Sequence, residues 1–233
     1  MKHTAVRLEE HLLNLFPDAE TEIYEGWIMK KLGGCLFVCP LYHSSFDHID
    51  ERIRYCEEIS RRGNLHCVFR VIEQTNYYLN SRLEKCLYEI RNQATVAILP
   101  VSEELCSTLP KPDGAGNSGN LELVLAAEIQ QAEAVMTSYI RRKAQLPDQN
   151  DGSQKILGIK RGPLLFLFGG NSCGPSELHD ILHFCLENKI TMVVADFPGS
   201  KHISEPFLHY GFQPAYTYFC FQKGEAKPNY RPG

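Results

Sequence analysis

Apolar positions along the first hundred residues follow two spacings, one typical of helices and one typical of strands. Apolar residues that recur every three or four positions predict three helices, at residues 5–16, 47–62 and 79–90. Shorter apolar runs predict a β-hairpin and two strands, at residues 26–40, 66–72 and 94–101. After the first helix, the predicted order is therefore hairpin, helix, strand, helix, strand.

The last third of the chain repeats this order. Its pattern predicts a hairpin, a helix, a strand, a short helix and a strand, at residues 155–169, 176–188, 191–197, 206–211 and 215–221. Both hairpins turn at glycine, at Gly33-Gly34 in the first and at Arg161-Gly162 in the second. Helices that alternate with strands favour an α/β or α+β fold with a sheet covered by helices, built here from two structurally related halves.

A polar segment separates the two halves. Residues 110–120, PKPDGAGNSGN, contain two prolines, three glycines and little apolar content, which predicts a flexible linker. Apolar residues return at helical spacing over residues 121–144 and predict a long connecting helix. We therefore divide the chain into an N-terminal half, 1–109, a linker with its connecting helix, 110–154, and a C-terminal half, 155–233.

Composition and charge narrow the classes of function. The chain has 233 residues, of which 43% are hydrophobic, and a net charge of −4. A domain that binds nucleic acid through a basic face usually has a strongly positive charge, and this chain is slightly negative. We therefore expect no nucleic-acid partner. An apolar run such as Leu164–Phe168 is too short to span a membrane, so we expect no membrane partner.

The cysteines indicate a compartment. There are nine, an odd number, and most lie inside apolar strand or helix patterns. Buried reduced cysteines behave as small hydrophobic residues, so this placement indicates a reducing compartment and not a disulfide framework. The first helix carries Glu9 and Glu10 where a signal peptide has an uncharged apolar stretch. We expect a cytoplasmic protein.

The segment Leu164–Cys185, LLFLFGGNSCGPSELHDILHFC, has the order strand, glycine-rich turn, helix, and several kinds of chemistry fit that order. Its Gly-Asn-Ser-Cys-Gly places Ser172 in a G-x-S-x-G pattern, the nucleophile elbow of many hydrolases. Asp196 and either His202 or His209 would then complete a triad. Only a small sheet follows Ser172, so a serine hydrolase is the weaker alternative.

The helix within this segment suits either a metal or a phosphate. His179 and His183 stand four residues apart, so both can reach one metal ion. The letters H-D-I-L-H lack the Glu of a metalloprotease helix, and no third ligand is evident, so we expect no metal. The first turn of the helix, with Pro175 and Ser176, presents N–H groups that bind anions such as a phosphate.

The sequence after this helix resembles a known family. The run ISEPFLHYGFQPAYTYFCF is similar to the last motif of the GNAT acetyltransferase superfamily, in which a helix with a tyrosine precedes Gly-Phe and an aromatic edge strand. The CoA loop of the superfamily, Arg/Gln-x-x-Gly-x-Gly/Ala, falls here on residues 171–176. Gly174 matches that pattern, Asn171 and Ser176 depart from it, and Pro175 removes one amide donor.

The resemblance extends to the first half of the chain. Gly26-Trp27, Pro40–Tyr42 and Phe69-Arg70 are similar to motifs in some bacterial members, where this half is a degenerate copy packed beside the catalytic half. The resemblance implies a GNAT-like mixed sheet flanked by helices, which agrees with the two related halves that the pattern predicts.

By this resemblance, the chain is a divergent GNAT member with a degenerate CoA-binding loop and with acetyl-CoA or CoA as its co-substrate. The implied cofactor-binding residues are on the strand, Leu165, Phe166, Leu167 and Phe168, and on the loop, Asn171, Ser172, Cys173, Gly174, Pro175 and Ser176. The strand would bind the pantetheine through its backbone, and the loop would hold the pyrophosphate. The implied activity is the transfer of an acetyl group to a primary amine of a small molecule or a peptide.

The usual general acid of this superfamily is a tyrosine four residues before Gly-Phe, and Phe207 stands there in this chain. A phenyl ring has no proton to give to a leaving thiolate. Tyr210 and Tyr218 are then the candidate catalytic residues, and Tyr216 is a further tyrosine on the last strand. The alternative is a catalytically inactive GNAT-like module that binds CoA or another ligand.

Overall fold

The computed structural model describes residues 2–16, 19–42, 47–74, 77–108, 123–126, 156–168, 175–199, 203 and 205–224. The helices within them are α1 (Lys2–Leu13), α2 (Ile49–Arg62), α3 (Tyr77–Lys85), α4 (Glu103–Thr108), α5 (Pro175–Glu187) and α6 (Glu205–His209). The strands are β1 (Thr21–Tyr24), β2 (Trp27–Leu32), β3 (Cys35–Cys39), β4 (His66–Ile72), β5 (Tyr88–Pro100), β6 (Leu123–Ala126), β7 (Ile156–Arg161), β8 (Leu164–Phe168), β9 (Met192–Pro198) and β10 (Gln213–Lys223).

These strands form one mixed sheet of ten, in the order β1-β2-β3-β4-β10-β5-β9-β8-β7-β6. Three neighbouring pairs are parallel, β3 with β4, β8 with β9 and β6 with β7, and the other pairs are antiparallel. The order hairpin, helix, strand, helix, strand occurs twice, first in β2 to β5 and then in β7 to β10. The predicted fold class is confirmed, with helices flanking a mixed sheet and two related halves.

The two halves exchange their final strands. β10, from the second half, lies between β4 and β5, while β5, from the first half, lies between β10 and β9. Each half therefore completes its sheet with a strand from the other half. The exchanged strands also pair with each other along their length, from Gln213 opposite Ile98 to Lys223 opposite Tyr88. Neither half has a complete sheet by itself.

Helices cover both faces of the sheet. Helix α1 packs on one face over buried side chains that include Phe166 and Tyr218, and we call this the α1 face. On the opposite face, α2 and α3 cover the first half around Trp27 and Phe69, and α5 and α6 cover the second half around Leu182. Among the residues that the structure describes, no helix is both long enough and apolar enough to cross a membrane.

The helix predicted at 79–90 is shorter in the structure and gives way to a strand. Helix α3 ends at Lys85, and the chain enters β5 at Tyr88. Leu87, in the turn between them, has a φ of +66°, a left-handed conformation that ends a helix. Leu87 and Ile90, both within the predicted helix, have 72% and 47% of their surfaces exposed.

Two other local predictions differ from the structure. Strand β6 occupies Leu123–Ala126, where the pattern predicted the start of a helix, because this short apolar run pairs with β7. The remainder of that predicted helix, 127–144, lies outside the described residues. Helix α2 begins at Ile49, two residues later than predicted, after His48, which has a φ of +59° and makes no side-chain capping bond.

In the Gly26-Trp27 motif, the glycine contacts the chain that follows β3 and the tryptophan packs in the core under α2. Gly26 has a φ of +82°, and a Cβ atom there would lie 2.2 Å from the backbone oxygen of Tyr42. The backbone N–H of Tyr42 donates to the Gly26 carbonyl at 3.1 Å, so the chain after β3 rests against this glycine. Trp27 is 0% exposed and fills the core under α2.

We expect three thiols to resist alkylation in the folded protein, the buried Cys56 and Cys185 and the partly buried Cys67. Burial raises the pKa of Cys67 and of Cys185 to about 12, and it also raises the pKa of Cys56. The thiolate is the reactive species, so little of it is present until the pH approaches these values or the protein unfolds. Peptide mass spectrometry after iodoacetamide treatment at pH 8 should find these three unlabelled. Labelling as fast as in guanidinium would contradict the prediction.

Candidate active site

Strands β8 and β9 part at one end of their contact. Their parallel register ends at the pair Leu167 and Ala195, although β8 continues to Phe168 and β9 to Pro198. Asp196 is therefore the first residue of β9 beyond the parting. A small cleft lies at this point, with mainly apolar walls that include Phe168 and, from α1, Leu12.

Three polar side chains line this cleft: Arg70 on β4, Asp196 on β9 and Tyr216 on β10. All three are buried, with exposed fractions of 7%, 6% and 4%. Burying a charged or polar group is unfavourable unless it has a partner. Each of the three has a partner within the protein, and together they form one network.

Tyr218 links Asp196 to Arg70. Its hydroxyl donates a hydrogen bond to Oδ2 of Asp196 at 2.7 Å. The guanidinium carbon of Arg70 lies over the Tyr218 ring, 3.3 Å from its centroid, which is a cation–π contact. Tyr218 is 0% exposed, so both contacts are shielded from water.

Glu9 of α1 completes the network. It is 0% exposed, and its carboxylate accepts hydrogen bonds from Nε of Arg70 at 3.0 and 2.8 Å and from Nη2 at 2.6 Å. The hydroxyl of Tyr216 donates to Oε1 of the same carboxylate at 2.5 Å. Helix α1 is therefore attached to the sheet beside the cleft by a buried, charge-assisted contact.

The network shifts the pKa values of two of its members. Burial by itself would lower the pKa of Arg70, but the charge of Glu9 and its hydrogen bonds raise it well above its ordinary value. Burial raises the pKa of Tyr216, and the charge of Glu9 raises it further. Arg70 is therefore charged and Tyr216 protonated across the physiological pH range.

Solved structures share this architecture. A GCN5-related N-acetyltransferase from Kribbella flavida aligns with 95% of this chain and 96% of its own, with a TM-score of 0.59 and 10% sequence identity. A GCN5-related N-acetyltransferase from Sphaerobacter thermophilus aligns with 92% of this chain and 84% of its own, with a TM-score of 0.53 and 10% identity. This chain has the GNAT fold. No protein-family model and no curated protein matches its sequence.

A second pair of parallel strands, β3 and β4 in the first half, also parts at one end. Side chains of the protein fill the opening there. The parallel register of β3 and β4 ends at Val38 and Phe69. The next residues, Cys39 and Arg70, are 1% and 7% exposed. Because Arg70 is held there by Glu9, this position is occupied by the protein itself.

The predicted cofactor-binding residues lie on β8 and directly after it. Leu165 and Leu167 belong to the core under α5, whereas Phe166 and Phe168 pack on the α1 face. Phe166, Leu167 and Phe168 line the cleft. The loop residues Asn171, Ser172, Cys173 and Gly174 lie outside the described residues. Pro175 and Ser176 form the start of α5, so a helix N-terminus follows the strand and the loop, as the GNAT pattern predicts.

The two predicted catalytic tyrosines lie on opposite faces of the sheet. Tyr218 is on the α1 face, bonded to Asp196, while Tyr216 and not Tyr218 lines the cleft. Tyr210 is half-buried beside the core under α5 and α6. The structure therefore does not bring Tyr210 and Tyr218 together in one site.

Phe207 is an ordinary core residue. It is 6% exposed and packs edge to face against Phe197 and Phe212, with ring centroids 4.8 and 5.7 Å away. No proton donor therefore stands at the position where the GNAT superfamily has its usual tyrosine.

The structure gives no support to a metal site at the histidine pair or to a serine hydrolase site, within the residues that it describes. The rings of His179 and His183 lie 4.6 Å apart on α5. Within the described part of the chain, no three or more His, Cys, Asp or Glu side chains are grouped so that they could hold a metal ion. Ser172 and His202 of the hydrolase alternative lie outside the described residues, and Asp196 accepts its hydrogen bond from Tyr218.

Sequence reasoning did not single out Glu9 or Arg70 as site residues, although each carried a signal. Glu9 lies one helical turn from Ala5 and from Leu13 on α1, and all three are buried. Arg70 stands alone within the apolar strand HCVFRVI. A single charge on a buried face requires an opposite charge nearby, so each residue could have been singled out from the pattern as a buried charge.

Proposed function

We propose that this protein is an acetyl-CoA-dependent N-acyltransferase that acetylates a primary amine of a small molecule or a peptide. The observation that carries the proposal is the parting of β8 and β9 beside the buried carboxylate of Asp196, in a chain with the GNAT fold. By the resemblance, acetyl-CoA would lie with its pantetheine along Leu165–Phe168 and its pyrophosphate on residues 171–176.

Asp196 binds the acceptor in this proposal. A carboxylate among apolar walls attracts an ammonium group, and Tyr218 fixes one of its oxygens. The ammonium gives one proton to Asp196, and the nitrogen lone pair attacks the thioester carbonyl carbon, so a C–N bond forms and the C–S bond breaks. The leaving thiolate takes a second proton from the nitrogen, and Asp196 releases its proton to water.

This route needs no tyrosine at position 207. Tyr218 acts by orienting Asp196, and Tyr216 contributes a protonated hydroxyl to the cleft, because burial and then Glu9 raise its pKa. Tyr210, on the opposite face of the sheet, takes no part.

The cysteines support a cytoplasmic location for this activity. Within the described residues no cysteine forms a disulfide, and five of the thiols are buried: Cys35, Cys39, Cys56, Cys185 and Cys220. Free thiols persist in the reducing cytosol and are rare in secreted proteins.

Calorimetric titration tests the proposal directly. We expect one acetyl-CoA to bind per chain, because Cys39 and Arg70 fill the equivalent opening of the first half. We also expect CoA release that depends on an added primary amine, measured by chromatography over a panel of amines and short peptides. No heat at millimolar acetyl-CoA would contradict the proposal, and two bound molecules would contradict the assignment of one functional half.

A binding module without catalysis is a second candidate, and one observation favours it. Each polar side chain that lines the cleft is already bonded inside the protein, Arg70 and Tyr216 to Glu9 and Asp196 to Tyr218. Binding of acetyl-CoA without turnover of any amine in the panel would support this candidate, and measurable turnover would exclude it.

A further inference from the structure

Arg70 and Asp196 occupy equivalent places in the two halves of the sheet. In the first half, the parallel pairing ends at Val38 and Phe69, and Arg70 is the next residue of β4. In the second half, it ends at Leu167 and Ala195, and Asp196 is the next residue of β9. The exchanged strands β10 and β5 lie between β4 and β9, so a positive and a negative charge face each other across the centre of the sheet.

Tyr218 spans the distance between these two charges. Its ring is covered by the Arg70 guanidinium at 3.3 Å, and its hydroxyl donates to Asp196 at 2.7 Å. The ring therefore has one contact that fixes its plane and one that fixes its hydroxyl. Loss of the guanidinium would leave space over one face of this buried ring, and a tilt into that space would weaken the hydrogen bond to Asp196.

The carboxylates and hydroxyls around Arg70 come from three elements. Glu9 approaches from α1, Asp196 acts from β9, and the hydroxyls of Tyr216 and Tyr218 come from β10. Arg70 therefore balances two buried carboxylates. A hydrophobic residue could fill the same space without the desolvation penalty of a buried ion, so filling space alone does not account for an arginine here.

We propose that Arg70, a residue of the first half, is a positioning residue for Asp196 in the second half and acts through Tyr218. The catalytic meaning of this inference rests on the proposed function. The first half then contributes to acceptor binding, whereas acetyl-CoA contacts only the second half.

A double-mutant cycle on Arg70 and Tyr218 tests the inference. Arg70→Met and Tyr218→Phe should each lower kcat/KM for the amine by about tenfold, with KM for acetyl-CoA unchanged. The double variant should lose no more than the worse single variant, because both changes break the same connection. Arg70→Lys keeps the positive charge and should therefore lose less kcat/KM for the amine than Arg70→Met. It replaces Arg70→Met in the test if that variant does not fold.

Arg52→Met is the matched control. Arg52 is a 4% exposed arginine whose Nε donates to Glu25 at 2.7 Å, and it lies on α2, which covers the opposite face of the sheet. Its variant should lose stability and keep kcat/KM for the amine. Equal losses of kcat/KM in the Arg52 and Arg70 variants, or additive losses in the Arg70 and Tyr218 cycle, would overturn the positioning role.

Thermal unfolding separates this inference from the proposed function. If the wild-type protein acetylates no amine, the proposed function fails. The cycle of Arg70→Met and Asp196→Asn is then measured on the unfolding temperature, once with Tyr218 present and once in the Tyr218→Phe variant. Non-additive shifts that disappear in the Tyr218→Phe variant support the connection through Tyr218, and non-additivity that Tyr218→Phe leaves unchanged would overturn it. Additive shifts would overturn that connection, whether or not the protein is an enzyme.

Discussion

Replacing Asp196 with asparagine is expected to lower kcat/KM for the amine by about 100-fold or more, the usual contribution of a positioned acid–base group. Asparagine has nearly the same shape, but it cannot take a proton from the ammonium group and carries no charge to attract it. The Tyr218 hydroxyl, which donates to Oδ2 of Asp196 at 2.7 Å, can still donate to the amide oxygen. The affinity for acetyl-CoA should stay the same. Steady-state kinetics with the best amine of the panel and calorimetry with acetyl-CoA measure the two effects.

Asp180→Asn is the control for this experiment. Asp180 is an aspartate of α5 with 69% of its side chain exposed, so its variant makes the same chemical change outside the cleft. It should keep the wild-type kcat/KM. An Asp196→Asn variant with more than about a tenth of the wild-type kcat/KM would show that Asp196 is not the acceptor-binding carboxylate.

Replacing Glu9 with alanine is expected to lower the free energy of unfolding by about 3–5 kcal/mol, because it leaves a buried guanidinium without its counter-charge. The two oxygens of Glu9 accept hydrogen bonds from Arg70 and Tyr216, and Glu9 has no exposed surface. The loss is a large part of the stability of an ordinary domain. Urea unfolding followed by circular dichroism measures it.

Two further variants separate this effect from the general loss of a side chain. Glu20→Ala removes a surface carboxylate, 70% exposed, whose partner is Lys31, and should change stability by at most about 1 kcal/mol. Glu9→Met combined with Arg70→Met should be more stable than Glu9→Ala, since the guanidinium that Glu9 pairs is removed together with Glu9. A Glu9→Ala variant no less stable than Glu20→Ala would contradict the assignment of a buried ion pair.

The elements of the fold could be predicted from the sequence, but their neighbours in the sheet could not. The spacing of apolar residues identifies the hairpins, α2 and α5, and the apolar face of α5 is buried as expected at Leu178, Ile181, Leu182 and Cys185. The exchange of β5 and β10 leaves no such trace. The predicted parts of both strands, 94–101 and 215–221, are mainly apolar, and this pattern is the same whichever neighbours a central strand has.

The candidate site was predicted only in part for the same reason. Leu165–Phe168 and the N-terminus of α5 are neighbours in sequence, so local patterns and the resemblance identify them. Glu9 and Arg70 are 61 residues apart, and Glu9 and Tyr216 are 207 apart. Contacts over such distances depend on how α1 crosses the sheet, which no local pattern specifies. Leu87 illustrates the limit at short range, since one left-handed residue ends a helix that periodicity alone would continue.

The position of β10 also determines when this sheet can form during synthesis. Strands β4 and β5 leave the ribosome long before β10, yet β10 is the partner that lies between them. Until the chain has been made as far as Lys223, each of these two strands has an edge without its native partner, at Val68–Ile72 and Tyr88–Ile98. Unpaired edges of this kind attract other strands and cause aggregation. The exchange that unites the two halves therefore makes the nascent chain depend on a late strand for its solubility.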